Sequence, residues 1–253
     1  MFGTDKPTAA EIARSWIALA VFILVALCMA MAQLYSDGLT EYPPGCAPLH
    51  DLGFEILPIF QGISWPTTTY WGSLADVWAM TAYLIYGALA LWACRTVWKA
   101  KIRFSVCITY ILALRTIVLL CTRYPKVPST VHSAYADYPN VLASAILVLL
   151  GVRTTQTDYM FSGHTTAWIQ TALFFWHYRK PGARYTVMAI LFWLFNVTGI
   201  FLLIGVRAHY TADVVVSIII NVLTFTAFHL AVEPENMYAY RMLNWMDAPQ
   251  KKQ

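Results

Sequence analysis

The chemistry in this sequence gathers at two histidines. The first lies in Ser162-Gly163-His164-Thr165. This tetrapeptide reads as a helix start, with Ser162 as N-cap and Gly163 leaving room for another group to approach the backbone. A helix N-terminus offers N–H groups that bind phosphate, and a histidine there can hand a proton to a leaving oxygen. The second, His209, is followed four residues later by Asp213. On a helix the two share a face, and a carboxylate beside an imidazole fixes its tautomer and stabilises its protonated form. With Arg115 the set becomes two imidazoles, a carboxylate and a fixed cation, which suits phosphoryl transfer. One imidazole attacks phosphorus, the other protonates the leaving group, and the cation holds the equatorial oxygens. This chemistry needs no metal or other cofactor. The sequence has no His/Asp/Glu cluster with metal-ligand spacing, no phosphate-binding glycine loop and no Gly-x-Ser-x-Gly elbow. The plainer reading of the same residues is two capped helix ends, with Asp213 favoured by the helix dipole.

The elements that carry these residues are apolar. The chain has 253 residues, of which 59% are hydrophobic and 12% charged, with mean hydropathy +0.56. A soluble domain carries about 25% charged residues, so a soluble enzyme, a disordered chain and a nucleic-acid binder are excluded as readings. A spanning helix needs about 20 apolar residues. Residues 16–34, 77–94, 104–121, 185–206 and 214–232 meet that length, and the more polar 161–178 makes a sixth. The expectation is an all-α membrane protein with six spans in one domain, residues 1–253. Residues 1–14 form its N-terminal segment and 233–253 its tail. Residues 141–151 are too short to span and read as an interfacial or re-entrant helix. The long loops are 35–73 and 122–160.

Lysines and arginines set the orientation. With the N-terminus in the cytosol, twelve of the 17 basic residues face that side, four the other, and Arg115 lies within a span. Both termini are then cytosolic. Asp158, His164, His209 and Asp213 enter their spans from the opposite side. Arg115, twelve residues beyond Arg103, lies about 18 Å deeper, towards that same side. Ala30-Met31-Ala32 resembles a cleavage site, but the long apolar run and thin basic flank favour an uncleaved span. The five cysteines show no disulfide framework; a Cys46–Cys121 pair is the one conceivable bridge.

Asp158-Tyr159-Met160-Phe161-Ser162-Gly163-His164-Thr165 resembles the third motif of the sphingomyelin synthase family. His209-Tyr210-Thr211-Ala212-Asp213-Val214-Val215 resembles its fourth. Pro48-Leu49-His50-Asp51, and Arg115 followed by Thr122 and Pro125, resemble the first two. That family belongs to the type 2 phosphatidic acid phosphatase superfamily, with six transmembrane helices. The resemblance implies transfer of a phospho-head group from a glycerophospholipid to the primary hydroxyl of ceramide, releasing diacylglycerol. His209 would be the nucleophile, oriented by Asp213, and a phosphohistidine would form. His164 would be the general acid and then the base. Arg115, Asp158, Ser162, Gly163, Tyr210 and Arg207 would line the substrate site. Ceramide, an inositol, choline or ethanolamine donor and membrane lipids are the implied partners; nucleic acid is not, and an oligomer is compatible. The implied place is the non-cytosolic face of the Golgi or plasma membrane.

The sequence departs from the family pattern at Gln156 and Thr157, where Cys-Gly is usual, and at Leu112, where tyrosine is usual. Arg207, two before His209, is more like the inositol phosphorylceramide synthases and tilts the reading towards a non-choline head group. A lipid phosphate phosphatase of the same superfamily is the alternative. It is disfavoured because Leu203 stands six before His209 where that class has arginine. A transporter or assembly protein with silent histidines is the second alternative.

Overall fold

The computed structural model describes residues 8–38, 49–57, 74–122, 125, 140–150, 155 and 159–232. Among them stand eight helices: α1 (Ala9–Gly38), α2 (Leu52–Ile56), α3 (Leu74–Ala93), α4 (Val97–Cys121), α5 (Val141–Leu149), α6 (Gly163–Tyr178), α7 (Ala183–Gly205) and α8 (Thr211–Val232). The fold is all-helical; an isolated antiparallel bridge between Cys94 and Arg179 is the one strand-like pairing among the described residues. The helices α1, α3, α4, α7 and α8 are long and apolar enough to cross a membrane. Their outward faces carry Leu84, Leu91, Ile117, Leu194, Phe201 and Leu223, all more than half exposed. An apolar surface of that extent belongs in lipid, not water.

The stretch expected as a sixth span forms α6, which has 16 residues, about 24 Å at 1.5 Å per residue. Its polarity has a structural cause. Residues 165–172 are buried without a break, so over two turns α6 has no lipid-facing side. It is enclosed by α3, α7, α8 and α4. A helix wrapped by others can carry Thr166, Gln170 and Thr171 at no cost in lipid contact, provided each finds a partner.

Thr171 donates to the Ala167 and Trp168 carbonyls of its own helix at 2.7 and 3.2 Å; Thr166 and Gln170 find partners on α8. Reading α6 every four residues gives Ser162, Thr166, Gln170, Phe174 and Tyr178; reading α8 likewise gives Asp213, Ser217, Asn221, Phe225 and His229. The rows meet rung by rung. Ser162 N–H donates to the Asp213 carbonyl at 3.3 Å. The hydroxyls of Thr166 and Ser217 are 3.2 Å apart, and Gln170 Nε2 donates to the Asn221 carbonyl at 3.0 Å. Phe174 and Phe225 meet edge to face at 5.1 Å, and Tyr178 Oη lies 3.0 Å from His229 Nε2. A constant offset means that the helices run parallel, so both N-termini lie at one end of the bundle. Interleaving of two four-residue rows is a common ridge-into-groove packing.

The helix α1 packs along α4 and carries α5 on residues 27–34. Nine residues reach about 14 Å, too little to span. Asn140 caps α5 by accepting from Leu142 and Ala143 N–H, both at 3.1 Å. Cys28, Cys94, Cys107 and Cys121 are free thiols; Cys46 lies outside the described residues.

Candidate active site

The N-termini of α3, α6 and α8 and the C-terminal half of α4 meet at one end of the bundle, where His164, His209, Asp213 and Arg115 converge. Ser162 is the N-cap of α6, its hydroxyl accepting from Thr165 N–H at 3.2 Å. That cap fixes the first turn and so the direction of His164. The His164 and His209 rings lie 5.6 Å apart, inclined at 67°.

Each histidine has its own carboxylate. His164 Nε2 is 2.6 Å from Oδ1 of Asp76, in the first turn of α3. His209 Nδ1 is 3.5 Å from Oδ2 of Asp213. That proximity does not arise from a shared helical face, as the spacing alone suggested. The helix α8 begins at Thr211, and His209 sits two residues ahead of it. The turn is closed by Asp213 itself, whose Oδ2 accepts from Tyr210 N–H at 3.1 Å and whose Oδ1 accepts from Met160 N–H at 2.9 Å. Asp213 is therefore both a helix-start residue and the carboxylate beside His209. Met160 pays for its bond with a φ of 91°, a region rarely used by residues other than glycine. With Nδ1 towards the carboxylate, Nε2 of His209 is the ring nitrogen turned to the other side.

Arg115 is 2% exposed. Its Nε donates to the Phe161 carbonyl at 2.9 Å and its Nη1 approaches Met29 Sδ of α1 at 3.3 Å. The guanidinium lies over Gly163. A Cβ built there would stand 3.0 Å from Nη1 and 3.2 Å from Cζ. A guanidinium resting on the first residue of a helix adds its charge to the positive end of the helix dipole. Two positive potentials buried together repel one another, and an anion seated against both relieves that repulsion.

The other residues expected at the substrate site take different places. Tyr210 is buried. Its Oη donates to the Pro125 carbonyl at 3.1 Å and lies 3.2 Å from Leu49 N–H, and its ring packs against Phe54 and Tyr159. Arg207 is drawn to α2, where it donates to the Phe54 carbonyl and lies over the Phe54 ring at 4.2 Å. It therefore holds the first loop against the α7–α8 turn. Asp158 lies outside the described residues.

Sequence reasoning missed Asp76, which stands one residue ahead of the apolar run 77–94, at the end expected to hold the histidines. An acidic residue at that mouth was the available signal. It also missed the work of Asp51. This carboxylate caps α2 by accepting from Phe54 N–H at 3.1 Å, and it accepts from the N–H and hydroxyl of Thr211, both at 2.6 Å. The first-loop motif thus binds directly to the start of α8. His50 points elsewhere and pairs with Glu55 at 2.7 Å on the exposed side.

With that geometry in hand, residues 156–230 match the family described as PAP2 superfamily C-terminal. The chain is 25% identical over 250 residues to a phosphatidylethanolamine:ceramide ethanolaminephosphotransferase of Trypanosoma brucei brucei, covering 82% of this chain and 74% of that one. It is 24% identical over 226 residues to a phosphatidylcholine:ceramide cholinephosphotransferase of Caenorhabditis elegans, covering 83% and 46%. It is 22% identical over 268 residues to a phosphatidylinositol:ceramide inositolphosphotransferase of Trypanosoma cruzi, covering 89% and 77%.

Proposed function

We propose, from the match of residues 156–230 to the PAP2 superfamily C-terminal family, that the protein is a ceramide phosphotransferase. It moves a phosphorylated head group from a glycerophospholipid to the primary hydroxyl of ceramide. The observation that carries this reading is the pair of imidazoles 5.6 Å apart, each beside its own carboxylate. The named activities of the three relatives supply the lipid class.

The reaction runs in two halves. The donor phosphate seats against the Arg115 guanidinium and the first turn of α6. His209 Nε2 attacks phosphorus, the bond to the diacylglycerol oxygen breaks, and His164 gives that oxygen its proton. Asp213 stabilises the imidazole that gains the phosphoryl group. Asp76 does the same for His164 while it carries the proton. Ceramide then takes the place of diacylglycerol. His164 removes the proton of its primary hydroxyl, the oxygen attacks phosphorus, and the P–N bond to His209 breaks. Protons and phosphoryl group balance without a metal. In this reading α6 is the sixth crossing, both termini are cytosolic, and the histidines open to the non-cytosolic face. Arg207, Tyr210 and the first loop close the site on its outer side.

The test is a donor panel. Purified protein is incubated with fluorescent ceramide and, in turn, phosphatidylethanolamine, phosphatidylcholine and phosphatidylinositol. A new phosphosphingolipid with one donor is expected. Release of free phosphate or of a phosphorylated head group with no ceramide product would instead make the protein a hydrolase.

A further inference from the structure

One turn below His164, on the same face of α6, stands Trp168. The two ring centroids are 6.1 Å apart. Trp168 is fully buried, and its indole N–H has no hydrogen-bond partner among the described residues. The ring edge that carries this nitrogen faces α7. Its Cε2, the carbon bonded to Nε1, stands 2.7 Å from the place a Cβ of Gly199 would take, so the indole fits because position 199 has no side chain. Three residues before Gly199, on the same side of α7, lies Asn196, also fully buried. Its Nδ2 donates to the Phe192 carbonyl at 2.7 Å. A carbonyl only accepts, which fixes the orientation of this amide and leaves Oδ1 as its atom without a partner among the described residues.

Where α6 meets α7, an indole N–H that can only donate and an amide oxygen that can only accept are both unsatisfied. Their surroundings offer no remedy, since Ala75, Ala79, Leu203 and Ile204 pack in the same apolar cluster as Trp168. Buried polar atoms are nearly always paired. Two of opposite kind at one helix contact point to a group that supplies one acceptor and one donor, and a secondary amide is such a group. Trp78 of α3 covers the same spot. It is only part buried, stacks on Phe195 with centroids 4.4 Å apart and donates to the Phe195 carbonyl at 3.0 Å. Its Cδ1 stands 2.6 Å from the place of a Gly199 Cβ, so it is the outer of the two indoles.

We propose that Trp168 Nε1 and Asn196 Oδ1 recognise the amide of the acceptor lipid, the indole N–H donating to its carbonyl and the asparagine oxygen accepting its N–H. This inference rests on the ceramide phosphotransferase reading and gives it a selectivity. The ceramide amide is attached one carbon from the primary hydroxyl that His164 deprotonates. That puts it within about one helical turn of the imidazole, where Trp168 stands. Diacylglycerol, which leaves the same place, has ester carbonyls and no N–H. It leaves Asn196 unmet and gives way to ceramide. The acceptor reaches the pair from the lipid by displacing Trp78.

The test reads binding, so it does not depend on turnover. Full-length protein in detergent micelles is loaded with radiolabelled ceramide. Unlabelled ceramide is then compared as competitor with its ester analogue, in which oxygen replaces the amide N–H. Ceramide should compete about tenfold better or more, because the ester leaves a buried acceptor unpaired. Asn196→Leu should bring that ratio to within about twofold, chiefly by weakening ceramide. Trp168→Phe should weaken both competitors by about fivefold or more and keep the ratio, because both carry the carbonyl. Equal competition by the two lipids in the unaltered protein overturns the proposal and assigns the pair to a buried water; this comparison decides even where a variant does not fold. A folded Asn196→Leu protein that keeps the ratio also overturns it, as does a folded Trp168→Phe protein that binds both lipids as before. Preference for the amide with no transfer in the donor panel would overturn the phosphotransferase reading and leave the amide site standing. Transfer with no preference would do the reverse.

Discussion

His164 Nε2 and Asp76 Oδ1 stand 2.6 Å apart, joining the start of α6 to the start of α3. In the proposed mechanism the contact gives His164 a carboxylate neighbour, as Asp213, at 3.5 Å, is to His209. Asp76→Asn keeps the shape and removes the charge. Steady-state transfer should fall by about a hundredfold or more, as expected when a histidine loses its orienting carboxylate. Thermal unfolding should shift little. Activity within a few-fold of the unaltered protein would remove Asp76 from the mechanism.

Gly163→Ala separates stability from activity. Alanine in a helix is favoured over glycine by about 0.5–1 kcal/mol. Its Cβ would stand 3.0 Å from Arg115 Nη1 and push the guanidinium from its seat. The variant should unfold no earlier than the parent and lose at least tenfold in kcat/KM for the donor, with the loss in KM for the donor and not in ceramide binding. A loss confined to ceramide binding would make the phosphate-anchor role of Arg115 wrong.

The first loop is tied down by Asp51 and by the lack of a side chain at Gly53. A Cβ on Gly53 would meet Thr211 Oγ1 at 2.1 Å, an overlap that forces the Thr211 side chain or the loop to shift. Gly53→Ala should detach α2 from the start of α8. Asp51→Ala should cost about 1–3 kcal/mol by leaving Thr211 donors unmet. Limited proteolysis within residues 39–57 reads both, and faster cutting is expected in each variant.

Asn221 lies in the middle of the α6–α8 row. Its Nδ2 donates to Thr166 Oγ1 at 3.1 Å and to the Ser217 carbonyl at 2.7 Å. Asn221→Leu should destabilise the folded protein by about 1–2 kcal/mol, the scale of polar contacts between membrane helices. A denaturant titration in detergent measures this. No change would mean that the remaining rungs of the row keep the two helices in register without the Asn221 side chain.

The motifs around His164 and His209 were legible because each is local. A cap, a glycine and a titratable group within four residues announce a helix start wherever they fall. Apolar length likewise revealed five of the long helices. Asp76 was not legible in the same way. Its role depends on a contact across 88 positions, which no spacing rule reports. The polarity of α6 was visible, but its cause was not. Enclosure by neighbours is a property of the bundle, and it makes a 16-residue helix with buried Thr166 and Gln170 stable where a lipid-facing one would not be. The Arg207 contact was hidden for a related reason: its guanidinium reaches Phe54, 153 positions away, which its place two residues before His209 does not report.

The central claim is that His209 carries the phosphoryl group between two lipids. The most direct measurement supplies donor labelled in its phosphate, withholds ceramide, quenches rapidly and isolates the protein. The account predicts an acid-labile, alkali-stable label, one diacylglycerol released per label, no label on His209→Ala, and transfer of the label to ceramide when it is added. A folded His209→Ala protein that still labels or turns over, or label that ceramide cannot discharge, would contradict it.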